Sequence, residues 1–111
     1  MQTTTKTSPY YENLEFNVDT ATEDYDLDSE QSGFLNVFGS TNVAAVYPSS
    51  VHIRTNNTIS VKLNSTDNDA ITITSTDSPF VIEGVEIVNL FITNNSGSTA
   101  AVKLLFQDSK Y

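Results

Sequence analysis

The sequence predicts an all-β chain: a single antiparallel β-sandwich of jelly-roll type, with an extended N-terminal arm. Three observations carry this. Through residues 51–106, short segments alternate apolar and polar side chains, the period of a strand with one buried face. Asn, Ser, Thr, Asp and Gly stand between those segments, and these are turn residues. Thr, Ser and Asn together fill 39 of the 111 positions. That composition competes with helical backbone hydrogen bonds, while Thr suits a pleated, half-buried surface.

Residues 1–12 show no apolar period and read as the arm, leaving 13–111 as the sandwich domain. The arm has two readings, a frayed terminus or a segment ordered by a neighbouring subunit with Tyr10 and Tyr11 as anchors. Leu14, Phe16 and Val18 alternate with Glu15, Asn17 and Asp19 as a first strand. Tyr25 and Leu27 alternate with Asp24, Asp26 and Asp28 as a second, after a turn at 20–23. Ser32-Gly33 breaks the chain, 34–38 is apolar, and 43–47 is a further strand ended by Pro48. The one place left for a helical turn is 42–45.

The second half is more regular. Residues 51–54 form a strand turned by Asn56-Asn57, and Ile59, Val61 and Leu63 alternate in the next. A turn at 64–69 leads to Ile71 and Ile73, and a turn at 75–79 leads to 80–82. Glu83-Gly84 reads as a bulge or tight turn. Residues 85–93 and 100–106 then form a closing hairpin through Asn94-Asn95-Ser96-Gly97-Ser98-Thr99. Strands at intervals of about 8–12 residues are the signature of a sandwich or barrel.

Composition narrows the function. The length suits one domain with one core. Fourteen acids against five bases give a formal charge of −9 and a pI near 4.1. Such a balance argues against nucleic acid, whose phosphates require a basic face, and against anionic membranes. No segment has the roughly 18–20 apolar residues of a membrane span, and residues 1–9 do not resemble a signal peptide. There is no cysteine, which removes thiolate chemistry and fits a reducing compartment or assembly inside a cell, such as a host cytoplasm. Asn56, Asn64 and Asn94 begin glycosylation-type triplets, which this composition produces by chance.

The one concentration of charge is Asp19, Glu23, Asp24, Asp26, Asp28 and Glu30. Asp24, Asp26 and Asp28 have the every-second spacing with which a loop offers carboxylates to calcium. Ser29 stands where such a loop needs glycine, however, and Leu35 where it needs the bidentate Glu. A charged edge strand is the stronger reading. His52 is the single histidine, between Val51 and Ile53, and cannot build a His-based zinc site. Glycine patterns that cradle phosphate and nucleophile-elbow motifs are both lacking, so no enzymatic activity is expected. There is no tryptophan, which weakens a carbohydrate platform without removing it. Leu90-Phe91-Ile92 and Leu104-Leu105-Phe106 are apolar on both strand faces, which makes Phe91 and Leu105 interface candidates.

Residues 59–63, Asn64-Ser65-Thr66-Asp67-Asn68-Asp69-Ala70, 71–74, Ser78-Pro79-Phe80-Val81-Ile82 and the final apolar strand, Asn-Asn-Ser-Gly, apolar strand sequence carry a resemblance. Over 51–106 the chain resembles small virion structural proteins of tailed bacteriophages, which are cysteine-free, all-β and rich in Asn, Ser and Thr. The resemblance implies a head decoration (cement) subunit or another head- or tail-associated subunit, frequently trimeric, with no catalytic residues to carry over. The expectation is therefore a capsid decoration protein in the virion, self-associating as a homotrimer on the lattice of a major capsid protein. The alternatives are a small β-module that binds calcium or carbohydrate, and a tail-associated subunit. No cofactor is required, calcium at Asp24, Asp26 and Asp28 being the one conceivable exception.

Overall fold

The computed structural model describes residues 10–31 and 48–108. They form eight strands: β1 (Tyr10–Val18), β2 (Thr22–Asp26), β3 (Ser50–Thr55), β4 (Ile59–Leu63), β5 (Ile71–Ile73), β6 (Phe80–Glu83), β7 (Leu90–Asn94) and β8 (Ala100–Asp108). A single helical turn, α1 (Leu27–Glu30), follows β2, and a 3-10 turn (Ser75–Asp77) precedes β6. The strands make two antiparallel four-stranded sheets, ordered β1-β8-β3-β6 and β2-β7-β4-β5.

Both sheets bury one face against a shared core, for the reason the alternation gives. The first sheet contributes Val18, Val51, Ile53, Ala100, Val102, Leu104 and Phe106, and the second Ile59, Val61, Ile73, Leu90 and Ile92. Leu27 and Ile87 plug the core from α1 and from the β6–β7 connection. Phe16 of β1 stacks on Tyr25 of β2, ring centroids 5.3 Å apart and planes 7° from parallel, which ties the two sheets together at one edge.

Four expectations change. First, β1 begins at Tyr10, pairing through Tyr10↔Asp108 and Tyr11↔Gln107, so residues 10–12 belong to the sheet rather than to an arm. Second, β2 ends at Asp26 and Leu27 opens a helical turn. The Asp26 carboxylate accepts the Ser29 N–H at 3.1 Å and so caps that turn. Third, residues 85–89 are not strand. Asn64 Oδ1 accepts the Val88 and Asn89 N–H groups, and Ile87 N–H donates to the Pro48 carbonyl, so that backbone is satisfied without a ladder.

Fourth, the closing hairpin does not form, because β7 and β8 lie in different sheets. Alternation reports which face of a strand is buried, and both sheets present the same pattern to one core. The crossing is held by Asn94, fully buried, whose Nδ2 donates to the carbonyls of Val18 and Ser98 at 2.8 Å each. Its Oδ1 accepts the Ser96 N–H, and Gly97 takes the left-handed conformation (φ 90°) that the loop requires. Within the described residues, β4–β5 is the hairpin made by strands consecutive in sequence. The expected elements at 34–38 and 43–47, the helical turn at 42–45 and residues 1–9 of the arm lie outside the described residues.

Candidate functional site

The two outer faces and the β1–β2 edge hold the candidate residues. Leu104 and Phe106 point inward, so alternation sends Leu105 outward, and the same logic places Phe91 between the inward Leu90 and Ile92. Both are half-buried. Phe91 stands between Lys62 of β4 and Asp26 of β2 on the outer face of the second sheet. Leu105 stands between Asn13 of β1 and His52 of β3 on the outer face of the first. Register extends that row to Val81 of β6, which is 43% exposed. His52 is thus half-buried in a partly apolar row rather than alone on a solvated strand. Tyr10 and Tyr11 lie at the start of β1, beside the end of β8.

Two residues further along each strand the outer face of the first sheet turns charged. Glu15, Lys103 and Arg54 lie side by side across β1, β8 and β3. Two shallow hollows flank the Arg54–Lys103 pair. One, of about 190 Å³, touches Asn13, His52 and Leu105. The other, of about 370 Å³, touches Asn56, Ser78 and Ala101. Arg54 and Lys103 are 49 positions apart in sequence, and nothing in the local pattern could have joined them.

The acidic segment does structural work. Asp26 caps α1 and also accepts from Asn89 Nδ2 at 2.8 Å, while Asn89 Oδ1 accepts the N–H groups of Asp28 and Leu90. Asp24, in a left-handed conformation (φ 50°), donates its N–H to Thr93 Oγ1, and its Oδ1 lies 3.4 Å from Lys62 Nζ. That oxygen makes no hydrogen bond, so the contact with Lys62 is an ion pair without good hydrogen-bond alignment. Among the described residues, no group of three or more His, Cys, Asp or Glu side chains is placed to hold a metal ion. The three carboxylates are spread over a bulged strand and the start of a helical turn, and they do not converge.

A hollow of about 430 Å³ lies at the end of the second sheet where β4, β5 and β7 meet the 95–99 loop. Asn57, Ser60, Thr72, Thr93, Asn95 and Ser96 line it with amides and hydroxyls and no charge. Thr72, Ser60 and Thr93 are direct cross-strand neighbours, which sets three hydroxyls in one row. Sequence reading assigned these positions to turns and strand exteriors and did not assemble them.

The sequence matches no protein-family model and no curated protein. Among the described residues, no helix is long and apolar enough to cross a membrane.

Proposed function

We propose that this chain is a non-enzymatic virion structural subunit, a capsid decoration protein that self-associates as a homotrimer and binds the head lattice. The strand order carries the reading. Numbered along the chain, sheets ordered β1-β8-β3-β6 and β2-β7-β4-β5 match the interleaved arrangement of a jelly roll, an architecture that viral capsid and lectin domains share. Architecture alone does not assign a function. The surfaces add support: half-buried Leu105 and Phe91 stand on the two outer faces, and exposed Val81 extends the Leu105 row. Among the described residues, the apolar and charged candidates Leu105, Phe91, Val81, Arg54 and Lys103 stand on outer sheet faces, as suits a protein that works by docking.

The test is co-sedimentation of the purified chain with assembled capsids, alongside sedimentation equilibrium of the chain alone. Saturable binding together with a trimer mass is expected. A strict monomer that stays in the supernatant would sink the reading.

A second reading is a carbohydrate-binding module, favoured by the 430 Å³ hollow with its row of Thr72, Ser60 and Thr93. Uncharged amides and hydroxyls that both donate and accept are what a neutral polyol requires. Calorimetric titration with a panel of neutral oligosaccharides separates the two, and heat abolished by Ser60→Tyr would favour this reading.

A further inference from the structure

We infer that the chain self-associates head to tail, the Arg54–Lys103 face of one copy receiving the acidic β2–α1 edge of the next. The inference rests on the self-association proposed above and names the two surfaces that meet. Its starting point is an electrostatic anomaly. Arg54 and Lys103 are both exposed and stand directly opposite each other across β3 and β8. Like charges so placed repel and weaken the pairing of their own strands. Among the described residues neither forms an ion pair, the ion pair there being Lys62 with Asp24, and Glu15 opposes Lys103 without closing on it.

In a chain of net charge −9 with five basic residues, two of them side by side and without an ion pair among the described residues make the first sheet's outer face locally positive. The hollows on either side of the pair give an incoming carboxylate room to approach, and the Leu105–His52–Val81 row supplies apolar area beside the charge.

The complementary surface lies on the other sheet. β2 is an edge strand, and with α1 it displays Glu23 and Glu30, both exposed. Asp24 and Asp26 of the same edge are already engaged, by Lys62 and by Ser29 and Asn89. Two different surfaces on one molecule meet heterologously, and repeated contacts of that kind close into a ring when the rotation permits. A trimer is one such ring. Charge complementarity of this sort sets orientation and association rate, and salt screens it.

Charge reversal tests this with an internal control. Glu23→Lys with Glu30→Lys raises the formal net charge from −9 to −5, each reversal adding two charges. If overall repulsion governed association, this variant would assemble more tightly than the parent chain. Complementary surfaces predict the opposite, self-association weakened about tenfold or more in sedimentation velocity at low salt. Arg54→Glu with Lys103→Glu should weaken it similarly. All four reversals in one chain restore the net charge to −9 and re-match the surfaces, so assembly should return. Circular dichroism confirms that each variant is folded.

Association that survives both double variants overturns the inference while leaving self-association intact. Failure of the quadruple variant to recover also overturns it, since another acidic partner would then be the natural occupant of the basic face. A parent chain that is monomeric at every concentration overturns it outright. Capsid binding, measured separately, reports on the decoration reading whatever these variants do.

Discussion

Asn94 and Asn64 stand at the first position of glycosylation-type triplets, and in each the side-chain amide is consumed by backbone. Asn64 Nδ2 donates to the Glu86 carbonyl while its Oδ1 accepts two N–H groups, and its φ of 68° is one that Asn tolerates better than most residues. Asn56 Oδ1 accepts the Ala101 N–H. Asn94 is fully buried and satisfies three backbone groups from β1 and the 95–99 loop. Asn94→Ala removes a donor from the buried Val18 carbonyl and the acceptor of the Ser96 N–H, while the Ser98 carbonyl keeps the Ser96 hydroxyl. An unsatisfied buried polar group costs about 1–3 kcal/mol. We expect a loss of about 1–3 kcal/mol, dominated by the buried Val18 contact, read as a lower urea midpoint at unchanged slope. A loss under about 0.5 kcal/mol would mean that the loop holds without Asn94. The richness in Asn that marks this sequence is thus partly a means of closing turns without glycine, of which the chain has four.

At the scale of elements, α1 shows how an acidic run can be mistaken for a ligand set. Asp26 holds the helical turn at its start and, through Asn89, holds it to the beginning of β7. Asp26→Ala removes the cap and one partner of Asn89, and we expect a loss of about 1–2 kcal/mol. Amide exchange at Ser29 and Leu90 should quicken more than at Val61, which is remote from the knot. Uniform acceleration at all three would contradict a local role. The capping was legible in principle, since Asp before Leu-Asp-Ser-Glu is an N-cap signal with acids in the first turn. The Asp24/Tyr25/Asp26/Leu27/Asp28 alternation masks it, because that alternation runs two residues past Asp26, where β2 ends. Strand existence was legible from β3 to β6 because each segment buries a clean period-two face. The pairing of β7 with β8 was misread because alternation carries no information about which sheet a strand joins, and the five-residue 95–99 loop serves a hairpin and a crossing equally well.

For the molecule as a whole, the candidate surfaces were legible one residue at a time and illegible as surfaces. Phe91 and Leu105 could be picked out because an apolar residue stood where alternation called for a polar one. The Arg54–Lys103 pair and the Thr72–Ser60–Thr93 row exist through strand order alone. That order also fixes how the molecule should fail. Among the described strands, β4–β5 is the pair consecutive in sequence that shares a sheet, and the other consecutive pairs lie in different sheets. The core side chains of both sheets form one cluster. Neither sheet can therefore expose its inner face without exposing the other's. Phe106, on the strand paired with both β1 and β3, is the largest fully buried side chain among the described residues. Phe106→Ala should cost about 3–5 kcal/mol, the range for emptying an aromatic site in a packed core. A loss confined to the first sheet would lower the protection of the Ile53 amide in β3 and spare that of Val61 in β4. One shared core predicts instead that both amides lose protection by the same free energy, and that denaturation followed by circular dichroism and by exchange gives one coincident transition. Protection retained at Val61 alone would show that the sheets are separable, and that the strand crossings couple them less than the common core implies.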